Sequence, residues 1–367
     1  MLVRWIAALA AFVIVILIGM LTIGNFGTGI DPEDFIDSEG ANSFALIGAI
    51  ALVIAFVVYA AVEYAQTGGF ASIASQFDTR TIVLMPIAVA INIILGATVA
   101  NALKLPIYLD SIGTILVGAL AGPVAGALTG FLSNTLWTYV VPPPFQNGPA
   151  AAFGIVAVVI GVIAGLAGRA GWLRPRPNRP IGELAIGGLV AVAIVVGLGV
   201  YAYTRFYGET FADFEFFNPD NDNAIFVIIG WLIGAIFVAF ILGFLGLLLI
   251  RRDLTVAYVT VVGVVTGVIA ALISAPIAAN VFGGVTGGGT DFLVAAFRQA
   301  GADLQTATFQ QGLLSDPVDK LVTFFVVYLV LAAMARRTKA RFPQGERLLE
   351  DAEAEGADDG EWRRATA

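Results

Sequence analysis

Residues 101–149 read NALKLPIYLDSIGTILVGALAGPVAGALTGFLSNTLWTYVVPPPFQNGP, and the rest of the chain is interpreted around this stretch. It contains two apolar runs joined by Gly-Pro, with a polar, proline-bearing loop on each side. Glycines recur at every fourth position, and Asn134 and Trp137 extend the row. The row consists of Gly118, Gly122, Gly126 and Gly130. Because residues four apart share one face of a helix, the spacing predicts a smooth surface for close helix packing.

The composition excludes an ordinary soluble domain. The mean hydropathy is +0.90, 59% of residues are hydrophobic and only 13% are charged. These values indicate a polytopic membrane protein. The chain has no His and no Cys, which excludes imidazole and thiolate metal sites, Cys nucleophiles and His-based catalytic triads. No Walker A loop or nucleophile elbow is present, so we predict no enzyme, no metal site and no cofactor.

The apolar segments predict an all-α polytopic membrane protein with about ten transmembrane helices, since a bilayer core is roughly 30 Å thick. The segments are about 3–24, 42–64, 82–101, 108–121, 123–141, 150–169, 181–204, 223–250, 255–281 and 318–336. The fourth has fourteen residues, and a helix of that length extends only about 21 Å. It is therefore either a short tilted span or half of a re-entrant hairpin with the fifth segment.

The basic residues predict the orientation. With both termini in the cytoplasm, fifteen of the nineteen Lys and Arg residues lie on the inner side. The outer side keeps only Lys104, Arg205, Arg298 and Lys320. This distribution follows the positive-inside rule and predicts a multi-pass protein of the plasma membrane. Residues 338–367 are polar and rich in charge, which predicts a largely disordered cytoplasmic tail.

Polar side chains are sparse in the apolar segments and gather at their predicted outer ends. Separated segments that bring amides, aromatic rings and a few charges to one level are typical of a small-molecule pocket. The candidate substrate-binding residues are Asn101, Lys104, Tyr108, Asp110, Asn134, Trp137, Asn147, Asn280, Asp291, Asp319 and Lys320.

Several of these candidates also have a purely structural interpretation. Asn134 fits a hydrogen bond to a neighbouring helix, and Trp137 fits an aromatic residue of the membrane interface. Asp316 followed by Pro317 fits the N-terminal cap of the last helix. Asp110 points more strongly to function, because an acid entering an apolar helix is costly and usually paired. Lys104 and Lys320 are its available partners.

The predicted loop at 282–320 begins with a glycine cluster and then shows helical periodicity. Glycine permits hinges and close backbone approach. The loop therefore fits a mobile lid or, equally, a tether to a surface helix.

Three runs resemble the substrate-binding S components of energy-coupling factor (ECF) vitamin transporters. LPIYLDSIGTILVGALAGPVAGALTGFLSN (105–134) resembles their second and third helices. APIAANVFGGVTGGGTDF (275–292) and SDPVDKLVTFFVVYLV (315–330) look like the last two. The resemblance spans about 82–172 and 255–337, which together supply six helices. Some sensor regions of bacterial histidine kinases share a similar GP-x-x-G-x-x-x-G pattern.

The resemblance implies a six-helix core that binds a vitamin-like solute from outside, beneath the loop at 104–110. Transport would then require a scaffold subunit and two ATPases. Residues 1–81 (two helices with an acidic outer loop) precede this core, and the two-helix segment 173–254 interrupts it. Helix 82–101 offers only Gly96-x-x-x-Ala100 where S components often carry A-x-x-x-A for scaffold docking.

The leading hypothesis is therefore the substrate-binding subunit of an ECF-type importer, with the lipid bilayer, a small solute and the ECF subunits as partners and no nucleic acid. One alternative is a sensor or scaffold domain that signals through a cytoplasmic partner. The other is a stand-alone secondary transporter, with helix breaks at Gly122–Pro123 and at Ser274 to Pro276.

Overall fold

The computed structural model describes residues 2–23, 39–103, 105, 107–207, 242–243 and 246–349. These residues form helices and turns, with no β-strand among them. Five of the described helices are long and apolar enough to cross a membrane, and shorter apolar helices accompany them. The prediction of an all-α polytopic membrane protein is confirmed. The predicted helix at 223–250 and the acidic loop at 25–41 lie largely outside the described residues.

The described residues form twelve α-helices. They are α1 (Leu2–Ile23), α2 (Glu39–Thr67), α3 (Ala71–Ala74), α4 (Thr79–Gly96), α5 (Ile112–Ala121), α6 (Pro123–Tyr139), α7 (Gly154–Arg169), α8 (Ile181–Tyr207), α9 (Thr255–Phe282), α10 (Asp291–Gln299), α11 (Leu304–Ala333) and α12 (Arg336–Lys339). A π-helical turn (Ala97–Ala102) extends α4, and 3-10 turns (Gly148–Phe153 and Gly345–Leu348) precede α7 and follow α12.

Two helix groups make the bundle. In the first group, α5 and α6 pack against α7 and α4. In the second group, α9 packs along α11. The two groups meet where α7 contacts α9 and where α5 contacts α11. The N-terminal pair α1 and α2 is antiparallel, because Arg4 near the start of α1 donates to Gln66 near the end of α2 (2.8 Å). Arg4 also pairs with the buried Glu63 (3.3 Å).

The fourth predicted segment is shorter than expected. Residues 107–111 form a non-helical connection, and α5 begins only at Ile112. The helix ends at Gly122, whose φ of +133° makes the turn into α6. A Cβ on Gly122 would meet the side chain of Gln76, which precedes α4. The α5–α6 turn therefore lies at the level where α4 begins, which favours the short span over the re-entrant hairpin.

The last core helix begins earlier than the sequence predicted. Asp303 caps α11 by accepting from the Thr306 N–H (3.0 Å), so the helix starts at Leu304 and not near residue 318. Hydrogen bonds from Thr306 hold the pKa of the exposed Asp303 carboxyl below its usual range. Asp316 and Pro317 consequently lie inside the helix, and their interpretation as an N-terminal cap is wrong.

The glycine row brings α5 and α6 against α7. A Cβ on Gly118 would lie 2.8 Å from the Gly161 carbonyl oxygen, and one on Gly130 would lie 2.6 Å from that of Ala157. The partner helix carries its own glycines: a Cβ on Gly165 would lie 2.3 Å from the Pro123 nitrogen. Backbones therefore touch on both sides, which is the close approach that small residues permit between membrane helices.

The start of the predicted disordered tail is ordered. The Gln344 N–H donates to the Leu120 carbonyl oxygen (2.8 Å), and Leu348 is fully buried in the main hydrophobic core. Residues 338–349 thus form a strap that covers the ends of α5 and α7. The tail prediction missed this because a few apolar residues, Leu348 among them, are enough to dock a charged segment. Residues 350–367 lie outside the described part.

We expect Leu348→Ala to destabilise the folded protein by about 2–5 kcal/mol, because the substitution removes a fully buried Leu from a packed core. Thermal unfolding of the detergent-purified protein measures this. Leu349→Ala is the adjacent control, since Leu349 is only partly buried. Equal melting temperatures for Leu348→Ala and the unmodified protein would contradict docking of the strap.

Candidate functional site

A cavity of about 110 Å³ lies at the end of the bundle opposite the α5–α6 turn. A cavity of roughly 150 Å³ can hold one benzene ring, so this smaller space suits a compact polar group, and a ring would have to extend through its open side. Its walls come from residues 108–111, from α6 and the start of α7, and from α9, α10 and α11. Every described residue of the lining falls within 82–172 or 255–337; the described side chains of α1, α2 and α8 contribute none.

The structure brings most of the sequence-predicted site residues together. Seven of them line the cavity: Tyr108, Asp110, Asn134, Trp137, Asn147, Asp291 and Lys320. Asp319 is not in the lining, but its carboxylate contacts the ammonium of Lys320, which is. Asn280 is not in the lining; it is exposed, donates to the Pro276 carbonyl and accepts from Gln305. The side chains of Asn101 and Lys104 lie outside the described residues.

An ion-pair network holds the Lys320 ammonium at one wall. Its Nζ lies 2.5 Å from Asp319 Oδ2 and 3.6 Å from Asp110 Oδ1, and it donates to Ser111 Oγ (2.9 Å). Asp319 is 0% exposed, whereas the Asp110 side chain is 26% exposed toward the open space. A charge in a membrane protein usually has such a partner, because burial of an unpaired ion is expensive.

The same aspartate positions the connection that precedes α5. Asp319 Oδ1 accepts from the backbone N–H groups of Tyr108 (2.9 Å) and Leu109 (2.8 Å). Leu109 has a φ of +52°, a left-handed conformation that a branched side chain rarely adopts. The Tyr108 hydroxyl pairs with Thr290 Oγ1 (2.6 Å). The last core helix and the start of α10 thus fix this connection at the cavity wall.

The opposite wall is held by side chains from the end of α6. Asn134 Nδ2 donates to the Ala150 carbonyl (3.0 Å), and Trp137 Nε1 donates to the Phe145 carbonyl (2.8 Å). Asn147 Oδ1 accepts from the Ala150 N–H (3.1 Å), which starts the 3-10 turn before α7. Trp137 is only 3% exposed, so its interpretation as an interfacial aromatic residue is wrong.

A short amphipathic helix covers the cavity. The α10 helix packs Leu293 and Phe297 inward and contributes Val294 to the cavity wall. The Asp291 carboxylate accepts from the Gly287 N–H (2.7 Å) and from Thr286, which folds the preceding glycine-rich turn. The predicted long loop at 282–320 is therefore mostly helical. The glycine-rich turn is followed by the helix α10, as both the lid and the tether interpretations require.

Five further polar residues line the cavity: Ser111, Ser274, Thr286, Gln311 and Asp316. Asp316 is 6% exposed, and its Oδ2 accepts from Ser274 Oγ (3.1 Å) across the α9–α11 contact. One signal could have found it, because Asp316 and Lys320 are four apart and share a face of a helix. Neutral Ser and Gln residues are common in helices and carry no such signal.

Comparisons of the chain with protein-family models, with curated proteins and with solved structures found no match.

Proposed function

We propose that this protein is the membrane-embedded substrate-binding subunit of an ECF-type importer, which captures a vitamin-like small molecule from the outer side. The observation that carries the proposal is the origin of the cavity. Among the described residues, its lining comes from 82–172 and 255–337, the two parts of the chain that resemble an S-component core. A concave space with convergent polar groups is the usual form of a small-molecule site.

The distribution of basic residues supports an outward-facing cavity. At the far end of the bundle, Arg80 donates to the Arg341 carbonyl (3.2 Å) and Arg347 donates to the Arg169 carbonyl (2.7 Å). That end fits the cytoplasmic side under the positive-inside rule. The cavity then faces outward, where an importer meets its solute.

Energy for import would come from other subunits, because the chain contains no ATP-binding motif. A scaffold subunit and ATPases are therefore the expected partners. The alternative of a stand-alone transporter has lost one of its two supports. It required a helix break at Ser274 to Pro276, but α9 continues through Pro276 to Phe282.

Binding to the purified protein tests the proposal. We expect a small molecule to co-purify, or one member of a panel of water-soluble vitamins to raise the melting temperature. Asn134→Ala should weaken binding by about tenfold, the loss of one hydrogen bond to a ligand, and should lower stability by only about 1 kcal/mol. Asn280→Ala is the matched control, because it removes an exposed amide from outside the cavity.

Two results would contradict the proposal. One is a panel without any stabilising member, together with no co-purified small molecule. The other is equal loss of binding in Asn134→Ala and Asn280→Ala, which would place the solute elsewhere. Uptake into proteoliposomes without ATPase subunits would favour the stand-alone transporter instead.

A further inference from the structure

The strong hydrogen-bond donors of the cavity wall already have partners within the protein. The ammonium of Lys320 has three donors, and Asp319, Asp110 and Ser111 surround it. Trp137 Nε1 donates to a backbone carbonyl. Of the remaining donors, the Asn147 amide and the Ser111 hydroxyl are neutral. An anionic ligand would therefore find no free cation among the described residues of the lining.

The acceptors of the wall are, by contrast, open. Asn134 and Gln311 are 8% and 7% exposed, and each uses its amide nitrogen within the protein, toward Ala150 and Ser315. Both residues line the cavity, and no described residue donates a hydrogen bond to either amide oxygen. An amide oxygen without a protein donor can accept from a bound ligand, so these two oxygens favour a ligand that donates.

The charges of the lining residues also favour a cationic ligand. Three carboxylates, Asp110, Asp291 and Asp316, line the cavity, and Lys320 is the one cation among the described lining residues. Asp319 already pairs with that lysine at 2.5 Å. Asp316 has only hydroxyl partners, Ser274 and Ser315, and forms no ion pair within the described part of the chain. A carboxylate can accept about four hydrogen bonds, so capacity remains.

We infer that the site takes a small planar organic cation with several N–H donors, such as a protonated amidine or an aminated aromatic ring. Asp316 and Asp110 would balance its charge, and the amide oxygens of Asn134 and Gln311 would accept its N–H groups. Aromatic side chains in the lining, including Trp137, supply apolar surface for a ring and attract cations. This inference rests on the proposed binding function and specifies its substrate class.

Three probes of equal shape test the charge: benzamidine, benzamide and benzoate, which are cationic, neutral and anionic at neutral pH. We expect benzamidine to bind the detergent-purified protein about 10-fold to 100-fold more tightly than benzamide, and benzoate not to bind. Calorimetry or thermal stabilisation gives the affinities. Benzamide or benzoate binding as tightly as benzamidine, or no binding by any probe, would overturn the inference.

The variant Asp316→Asn tests whether the preference for benzamidine depends on the Asp316 carboxylate. This variant should reduce the affinity for benzamidine to that for benzamide, while Glu183→Gln should change neither, because it alters a half-exposed carboxylate on α8 away from the cavity. An unchanged preference in Asp316→Asn would also overturn the inference. If that variant does not fold, Asp110→Asn provides the measurement, since its side chain is more exposed.

The inference and the proposed function can fail separately. Binding of a neutral or anionic vitamin that Asn134→Ala weakens would uphold the binding subunit and overturn the cationic ligand. A vitamin panel without any binder would remove the binding function itself.

Discussion

Gly126→Leu is expected to prevent assembly of the helix bundle. A Cβ at this position would lie 2.6 Å from the Gly118 Cα and 2.7 Å from the Gly161 carbonyl oxygen. Both obstacles are backbone atoms, and one lies on α5 and the other on α7, so neither can rotate away. Overpacking of a core typically costs about 1–3 kcal/mol. A leucine wedged between two backbones should exceed that range and separate α6 from both neighbours.

Size-exclusion chromatography and thermal unfolding of the detergent-purified variant measure this effect. We expect aggregated protein, or a melting transition lowered by many degrees. Gly197→Leu is the matched control, because it makes the same change in an apolar helix where no atom of the described residues lies within 4 Å of the new Cβ. A normal elution profile for Gly126→Leu would show that the helices pack differently from the arrangement described.

Packing also separates Trp137 from the polar candidates. Its position after a glycine row suggests a residue that contacts ligand and can be replaced without loss of the fold. However, the ring is 3% exposed, and a Cβ on Gly96 would lie 2.4 Å from it. Trp→Ala substitutions in cores cost about 3–5 kcal/mol, so Trp137→Ala should unfold the protein as well as alter the cavity. Asn134 remains the cleaner probe of binding.

The membrane fold could be read from the sequence because hydropathy and helix length follow directly from the bilayer. Part of the candidate site could also be predicted from the sequence. Polar residues such as Asp110 and Asn134 are rare in apolar helices, and rarity in that setting indicates a role. Residues from the connection before α5, from the end of α6 and from α11 then met in one cavity.

The sequence could not predict which turn a proline occupies. Asp316–Pro317 has the composition of a helix start, yet Asp303 provides the cap and α11 runs through Pro317. Close packing explains why this is tolerated: a Cβ on Gly267 of α9 would lie 2.3 Å from the Pro317 Cα. A glycine on the neighbouring helix accommodates the proline, and that pairing joins positions far apart in the chain.

A buried polar cluster between α4, α5 and α6 was also missed. Asn92 Nδ2 donates to Thr114 Oγ1 (2.8 Å) and Ser133 Oγ (2.9 Å), and its Oδ1 accepts from the Gly113 N–H (2.7 Å). All four hydrogen-bonding groups are neutral and small, so nothing in one sequence marks them as partners. Their contribution appears only when three helices are placed together, where a satisfied amide fixes their register.

Asp319→Ala is expected to have the largest effect of any substitution in the site. The carboxylate is 0% exposed and serves two functions through two different atoms. Oδ2 pairs with Lys320, and Oδ1 accepts from the N–H groups of Tyr108 and Leu109. Removing one partner of a buried ion pair costs about 3–5 kcal/mol, and two backbone donors lose their acceptor as well.

Asp319→Asn separates the two functions. An amide oxygen in the place of Oδ1 can still accept from both backbone N–H groups, while the amide nitrogen would face the Lys320 ammonium. We therefore expect Asp319→Asn to keep the connection before α5 in place and to lose mainly the ion pair. Its melting temperature should fall between those of the unmodified protein and Asp319→Ala.

The double variant Asp319→Asn with Lys320→Met completes the test. Removal of both charges eliminates the Asp319–Lys320 pair as a whole, and such replacements are often neutral or stabilising. Asp110 loses its more distant partner, but its side chain is 26% exposed and can be solvated. Stability should therefore recover relative to Asp319→Asn, as measured by thermal unfolding. A double variant that is less stable than either single variant would mean that Lys320 has a role that Asp319 does not share. Because Asp110 would then retain its charge without Lys320, the same double variant should bind benzamidine at least as tightly as the unmodified protein does.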